Sequence, residues 1–195
     1  MRFSTFSAFA LSLIPVALSV ATIQEESLFS RCQSPQVTEE HFIGKDNNVK
    51  VQALHCANDL IREREETLAK RQIDVCGAEC DTNCFPGGTG GPNPNDCHVI
   101  ADAILFDSQN VGALFNITAA NPIVTMTFSS CESFWLNQAG VDLQYCRTDW
   151  STVLDFVADN CQSTQNAHGG NCVAADQRSL ISRPSTRAAV EGLVA

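Results

Sequence analysis

Apolar and polar residues alternate most clearly in the middle of the chain. Val124, Met126 and Phe128 are separated by threonines, which is the period-two pattern of a strand with one buried face. The segment 113–118 predicts another strand, and because only a short turn separates the two, we expect an antiparallel hairpin. Further strands are predicted at 141–147, around Cys172 and near Leu180.

Two other segments repeat their apolar residues every three to four positions, as amphipathic helices do. The first covers 97–107 with Asn95 or Asp96 as its expected N-cap, and the second covers 148–161. Their apolar faces are Cys97, Ile100, Ala101, Ile104 and Leu105 in the first helix, and Trp150, Val153, Leu154 and Val157 in the second. Helices and strands in this arrangement predict an α+β domain whose antiparallel sheet is covered by helices.

The N-terminus has the pattern of a secretory signal peptide. A positive start at Arg2 precedes an apolar run over 6–20, and Ser19 and Ala21 are the small residues that signal peptidase requires. We expect cleavage after Ala21 and secretion of the product. A membrane anchor is the alternative, but serines and a proline interrupt the run, which is shorter than the roughly 20 apolar residues of a membrane span.

The charge composition changes at Lys70-Arg71. Lysine is absent after this pair, and only four arginines oppose thirteen acidic residues from Gln72 onward. We expect a subtilisin-like processing protease to cut there, although a plain pair of surface charges is the alternative. The acidic surface argues against nucleic acid and anionic membranes as partners, and it favours neutral or cationic ones.

The cysteines divide at the same place. Of ten cysteines, Cys32 and Cys56 precede the predicted cut and can pair with each other, and eight follow it. An even number in an oxidising compartment implies four disulfides, whose pairing the spacing leaves open. The eight are Cys76, Cys80, Cys84, Cys97, Cys131, Cys146, Cys161 and Cys172.

A zinc site is the alternative use of these thiols. Cys76, Cys80 and Cys84 with Cys97 or His98 would supply ligands, but the paired Cys-x-x-Cys spacing of structural zinc sites is missing. We therefore expect no metal and no cofactor.

The segment 131–140 carries the residue types that bind sugars, in a predicted connection between two strands. An aromatic face packs on the apolar side of a sugar ring, and amides and carboxylates bind its hydroxyls. The candidate residues are Glu132, Trp135, Asn137 and Gln138. The alternative is that Phe134 and Trp135 cap the core.

For enzymatic chemistry the sequence offers less. It contains neither a Gly-x-Ser-x-Gly elbow nor a His-Glu-x-x-His helix, and we expect that the protein is not an enzyme. A secreted ribonuclease is the strongest enzymatic alternative, with His98, His168, Glu132 and Arg147 as its acid-base and phosphate-binding groups. Asn116-Ile-Thr118 is an N-glycosylation sequon in a predicted strand.

Three runs of sequence carry a family resemblance. They are Gln72-Ile-Asp-Val-Cys-Gly-Ala-Glu-Cys-Asp-Thr-Asn-Cys84, Pro94-Asn-Asp-Cys-His-Val-Ile-Ala-Asp-Ala-Ile-Leu105 and Phe106-Asp-Ser-Gln-Asn-Val-Gly-Ala-Leu-Phe115. Together they resemble a family of small secreted glycan-binding lectins of mushrooms, whose type member is that of the shaggy ink cap. The similarity continues through Cys131, Cys146, Cys161 and Gly-Gly-Asn-Cys172, so it covers most of 72–181.

The resemblance implies a single-domain αβα sandwich with disulfides, related in architecture to yeast killer toxins. It implies binding to glycans that contain N-acetylgalactosamine or fucose, and a toxic or antiviral activity secondary to that binding. The chain departs from the family after Arg178, where we expect a loose tail.

These observations divide the chain into four expected segments. They are a signal peptide at 1–21, a pro-segment at 22–71, a disulfide-stapled glycan-binding domain at 72–182 and a C-terminal tail at 183–195. The expected function is that of a secreted lectin-like protein for neutral glycans. The alternatives are a killer-toxin-like effector that the pro-segment keeps inactive until Lys70-Arg71 is cut, and the ribonuclease.

Overall fold

The structure is a computed structural model that describes residues 32–57, 73–85, 91–137, 139, 141–174 and, for the backbone, 190–194. The predicted signal peptide, the processing site Lys70-Arg71, Gln138 and the strand predicted near Leu180 lie outside these residues.

Ten strands and two α-helices follow one another along the described chain. They are β1 (Gln36–Ile43), β2 (Val49–His55), β3 (Ile73–Asp74), β4 (Cys80–Cys84), α1 (Pro94–Asn110), β5 (Leu114–Ile117), β6 (Ile123–Phe128), β7 (Cys131–Leu136), β8 (Leu143–Cys146), α2 (Arg147–Val157), β9 (Gly169–Ala174) and β10 (Val190–Val194). The fold is therefore α+β, as predicted.

Seven of the strands form the main sheet, in the order β1-β2-β6-β7-β10-β9-β4. All neighbours in this sheet pair antiparallel. Alternation along the strands separates two faces. The inner face, which packs against the helices, includes Val49, Val51, Met126, Cys131 and Trp135, and the outer face includes Leu54, Ile123, Phe134 and Leu136.

Five of these seven strands were not predicted, namely β1, β2, β4, β7 and β10. β1 and β2 come from the expected pro-segment, yet β2 pairs with β6 over Lys50–Leu54 and Ile123–Thr127. The expected boundary at Gln72 therefore does not separate two folded units within the described residues. The prediction of a loose tail over 183–195 is wrong for 190–194, whose backbone forms β10 between β7 and β9. A five-residue segment with a central glycine has weak strand propensity, but pairing on both sides satisfies its backbone.

The other three strands form a small sheet in the order β3-β8-β5. β5 pairs antiparallel with β8, and β3 pairs parallel with β8. The predicted hairpin of 113–118 with the strand ending at Ser130 is therefore wrong, because β5 and β6 belong to different sheets. An alternating pattern identifies a strand and its buried face, but it does not identify the strand's partner.

Helix α1 begins earlier than predicted. Asn93 is its N-cap, in place of Asn95 or Asp96, and the Asn93 side chain accepts a hydrogen bond from the Asn95 N–H at 3.1 Å. Pro94 occupies the first turn, where its missing N–H removes no helical bond. The predicted buried face is confirmed for Cys97, Ile100, Ala101 and Ile104, whereas Leu105 is exposed.

Helix α2 begins at Arg147 and continues beyond Val157 as a π-helical segment, Ala158–Thr164. Trp150, Leu154 and Val157 are buried as predicted, and Val153 is half-buried against the same core. The Ser151 hydroxyl donates to the Ala101 carbonyl at 3.1 Å, which ties α2 to α1.

All ten cysteines form disulfides, and none is free. The predicted framework is confirmed, and the structure resolves its pairing as Cys32–Cys56, Cys76–Cys146, Cys80–Cys172, Cys84–Cys161 and Cys97–Cys131. The cysteines that would bind zinc in the alternative interpretation are all in disulfides, so they have no free thiol. Each disulfide stabilises a fold of this kind by roughly 2–5 kcal/mol, mainly by restricting the unfolded chain.

Candidate functional site

The segment predicted to bind sugar is not a surface connection. Its first six residues are strand β7, inside the main sheet. The Trp135 side chain is 0% exposed, and its ring lies 6.5 Å from the Phe115 ring and 5.5 Å from the Tyr145 ring, between centroids. Because the ring is enclosed, the prediction that Trp135 packs on a sugar is wrong. The alternative, in which Phe134 and Trp135 belong to the core, is supported.

Asn137 is also buried, and its amide is used within the protein. Its Nδ2 donates to the carbonyls of Ile117 and Val141, at 3.1 Å and 2.9 Å, and its Oδ1 accepts from the Ala139 N–H at 2.9 Å. These bonds fix the connection that follows β7. The prediction that Asn137 binds a ligand is therefore wrong for this structure.

Glu132 lies on the outer face of the sheet, opposite to the Trp135 side. It is in the same cross-strand row as Thr127 and Lys50. Burial raises the pKa of Glu132, and the positive charge of Lys50 opposes this change. Glu132 is thus separated from the rest of the predicted sugar-binding set.

The predicted ribonuclease residues are also dispersed. His98 lies near the start of α1, whereas Arg147 donates from Nη1 to the carbonyls of Gly112, at 2.6 Å, and Leu114, beyond the other end of that helix. At 1.5 Å per residue these ends are about 20 Å apart. Glu132 is on the far face of the main sheet, and His168 precedes β9. The set does not form one acid-base site.

His98 instead connects the two helices. Its Nδ1 lies 2.7 Å from Asp155 Oδ1, and its Nε2 lies 3.4 Å from Asp159 Oδ1. The hydrogen bond to Asp155 raises the pKa of His98, against a smaller opposing effect of burial. The imidazole lies between two carboxylates and links α1 to the end of α2.

A group with metal-ligand geometry occurs at Cys76, Cys146 and Asp149, whose ligand atoms lie within 4.8 Å of one another. The two cysteines form a disulfide, so their sulfurs are not thiolates. The Asp149 carboxylate accepts a hydrogen bond from the Gly77 N–H at 2.7 Å. This group is therefore a structural junction.

A polar surface that sequence analysis missed lies at the β4 edge of the main sheet. It consists of Asp81, Asn83, Phe85 and Asn171, and we call it the amide strip. Asn83 Nδ2 donates to Asn171 Oδ1 at 3.3 Å and to the Asp81 carbonyl at 3.1 Å. Asp81 and Asn83 are exposed, and Asn171 and Phe85 are half-buried. A carboxylate and two amides are thus grouped on two adjacent strands, and Phe85 directly follows one of them.

The position of the amide strip follows from the disulfides beside it. Cys80 and Cys84 bond to Cys172 and Cys161, so both ends of β4 direct their sulfurs to the inner face. Side chains alternate along a strand, and Asp81 and Asn83 must therefore lie on the outer face. Phe85 continues the alternation, and its N–H donates to the Gly169 carbonyl at 2.9 Å. In the sequence, the signal for this polar face is the pattern Cys-Asp-Thr-Asn-Cys, in which Asp81 and Asn83 alternate with the residues of the other face.

The sequon residue Asn116 is exposed on β5, at an edge of the small sheet. Its Oδ1 accepts a hydrogen bond from Gln144 Nε2 at 3.2 Å. The position of Asn116 is thus accessible to a glycan on the folded surface.

No family model, curated protein or solved structure matches this chain in the three comparisons. Neither α1 nor α2 has the length and apolarity to cross a membrane, and the same holds for the rest of the described chain.

Proposed function

We propose that this protein is a secreted lectin-like protein and that neutral glycans bind on the amide strip. The observation that carries the proposal is the hydrogen bond between Asn83 and Asn171, which holds two amides side by side on an exposed face. Next to them are the Asp81 carboxylate and, by alternation, the Phe85 ring. Amides and a carboxylate bind sugar hydroxyls, and an aromatic ring packs on the apolar side of a pyranose.

Rigidity supports the same proposal. Cys80–Cys172 joins the two strands of the strip, and Cys84–Cys161 joins β4 to the π-helical segment. Polar groups that are held in place before binding lose little conformational entropy when a ligand arrives. Such a surface suits weakly bound ligands such as single sugar rings.

Charge and sequence resemblance narrow the ligand class. The chain has a formal net charge of −10, which disfavours anionic ligands. We infer that the ligands are neutral glycans containing N-acetylgalactosamine or fucose, as the resemblance of 72–181 to mushroom lectins implies. Secretion, guided by residues 1–21, would bring the protein to such glycans outside the cell.

A glycan array probed with the secreted protein tests this proposal. We expect binding to neutral glycans, and we expect Asn83→Ala and Asn171→Ala each to weaken it at least tenfold, because a lost hydrogen bond in a small site costs about 1.4 kcal/mol or more. The matched control is Asn95→Ala, an exposed asparagine on α1, which packs on the opposite, inner face of the sheet.

Two results would contradict the proposal. The first is a complete lack of binding to neutral glycans by folded protein. The second is binding that both strip variants retain at full strength, which would move the site to another surface.

A further inference from the structure

We propose that the N-terminal hairpin of β1 and β2 remains in the working protein, which therefore consists of two noncovalently associated chains once Lys70-Arg71 is cut. This inference is independent of glycan binding. It rests on the contacts that hold the hairpin and on the absence of a disulfide between the hairpin and the rest of the fold.

The β2 strand is an interior strand of the main sheet. Lys50–Leu54 pairs with Ile123–Thr127 of β6, and β1 pairs with the other edge of β2. Val49 and Val51 are 0% and 5% exposed and belong to the same apolar cluster as Ile100 and Ile104 of α1. Leu54 packs on the outer face in a second cluster with Ile123. The hairpin thus contributes to both sides of the sheet.

The turn of the hairpin is fitted against helix α1. Gly44 has a φ of +86°, and a Cβ added to it would lie 2.8 Å from the Ala103 Cβ. Only glycine combines this backbone conformation with so close an approach. The Gly44 N–H donates to Asp107 Oδ1 at 3.4 Å, and at the other end of the hairpin His55 Nδ1 lies 2.8 Å from the Ala120 carbonyl oxygen.

The disulfides divide into two separate sets. Cys32–Cys56 closes the hairpin on itself, and the other four bonds all join residues between Cys76 and Cys172. Because no cysteine remains free, no further disulfide can connect the two sets. After a cut at Arg71, noncovalent contacts would hold the chains together, and these include the β2–β6 ladder, side-chain packing and the hydrogen bonds of Gly44 and His55.

If the hairpin left the fold, the part of the main sheet that it covers would be exposed. β6 would become a free edge, and the buried side chains of Ile123 and Met126 would lose their neighbours on β2. An inhibitory pro-segment must leave its target to release activity. The extent of this contact favours a hairpin that stays, and it opposes the pro-inhibitor hypothesis.

The test begins with the secreted precursor that carries the intact Lys70-Arg71 site, with Lys70→Ala/Arg71→Ala as the uncleavable control. Both are treated with a dibasic-specific protease and separated by size exclusion in native buffer. We expect the two chains of the cut protein to elute together, at the volume of the uncut control. A denaturing gel without reductant should then separate them, and the control should remain one band.

Three results would overturn the inference. They are separate elution of the hairpin chain at micromolar protein, a need for reductant to separate the chains, and a native precursor that the protease does not cut at this site. None of these measurements depends on sugar binding, so failure here and failure of the glycan proposal are distinguishable.

A substitution at the turn gives a second, independent measurement. Gly44→Val should raise the apparent dissociation constant of the cut hairpin at least tenfold, whereas Asp46→Ala, at an exposed position in the same turn, should leave it unchanged. If Gly44→Val prevents secretion of the precursor, Leu54→Ala weakens the same association from the outer face. If the cut hairpins of the Gly44→Val, Asp46→Ala and Leu54→Ala variants all bind equally well, the proposed interface is wrong.

Discussion

His98 on α1 and Asp155 on α2 face each other across the helix pair, with 2.7 Å between Nδ1 and Oδ1. Asp159 approaches the second ring nitrogen of the same histidine. These three residues link the start of the first helix to the end of the second. The packed helices in turn cover the inner face of the main sheet.

This link should make stability depend on pH. The pKa of His98 is raised in the folded protein above its usual 6.5, so the link stabilises fully below that value. Its contribution is lost as the pH rises through the folded-state pKa. We expect His98→Gln to lower the urea midpoint at about pH 5.5 and to have little effect at about pH 9.

His168→Gln is the matched control, because His168 is a second histidine that lies outside the helix pair. A His98→Gln penalty that is constant across the pH range would contradict the prediction. NMR titration of the His98 ring would locate the transition directly.

The Trp135 ring is part of the core, and its replacement should therefore affect folding first. We expect Trp135→Ala to lower the free energy of unfolding by about 3–5 kcal/mol, the usual cost of removing a large buried aromatic side chain. Phe156→Ala, at a site that is 56% exposed, is the control and should change stability by less than about 0.5 kcal/mol. Chemical denaturation of both variants measures the difference. A Trp135→Ala protein of unchanged stability would restore the ring as a candidate for ligand contact.

Asn116 should carry an N-linked glycan in the secreted protein. A glycan is attached to Nδ2, so the Oδ1 atom can continue to accept the hydrogen bond from Gln144. We expect a mass decrease on treatment with an N-glycosidase, and no decrease for Asn116→Gln. An unmodified wild-type mass after secretion from a glycosylating host would contradict this prediction.

Local patterns predicted the helices well and the strand pairing poorly. The buried faces of 97–107 and 148–161 follow from spacing alone, because a helix determines its own neighbours at three and four residues. The alternation of Val124, Met126 and Phe128 likewise predicted a strand. Its partners are β2 and β7, one of which is far away in the chain and lies in a segment expected to be removed.

The error at Trp135 has a physical cause. A segment that combines aromatic, acidic and amide side chains suits either a binding site or a buried strand with polar anchors. Composition cannot distinguish the two. The pairing of β7 with both β6 and β10 makes this segment an interior strand, and β10 was not predicted. The amide strip was missed because its position depends on the disulfide pairing, which the spacing of the cysteines does not determine.

The place of β10 in the sheet has a consequence for biosynthesis. It is the last described strand in the chain, yet it lies between β7 and β9 and is the connection between the two halves of the sheet. A partly synthesised chain without it would hold two incomplete sheets with unpaired edges at β7 and β9. Such edges associate readily with other chains. Completion of the sheet therefore waits for the synthesis of 190–194, and the disulfides within 76–172 can form before the sheet has closed.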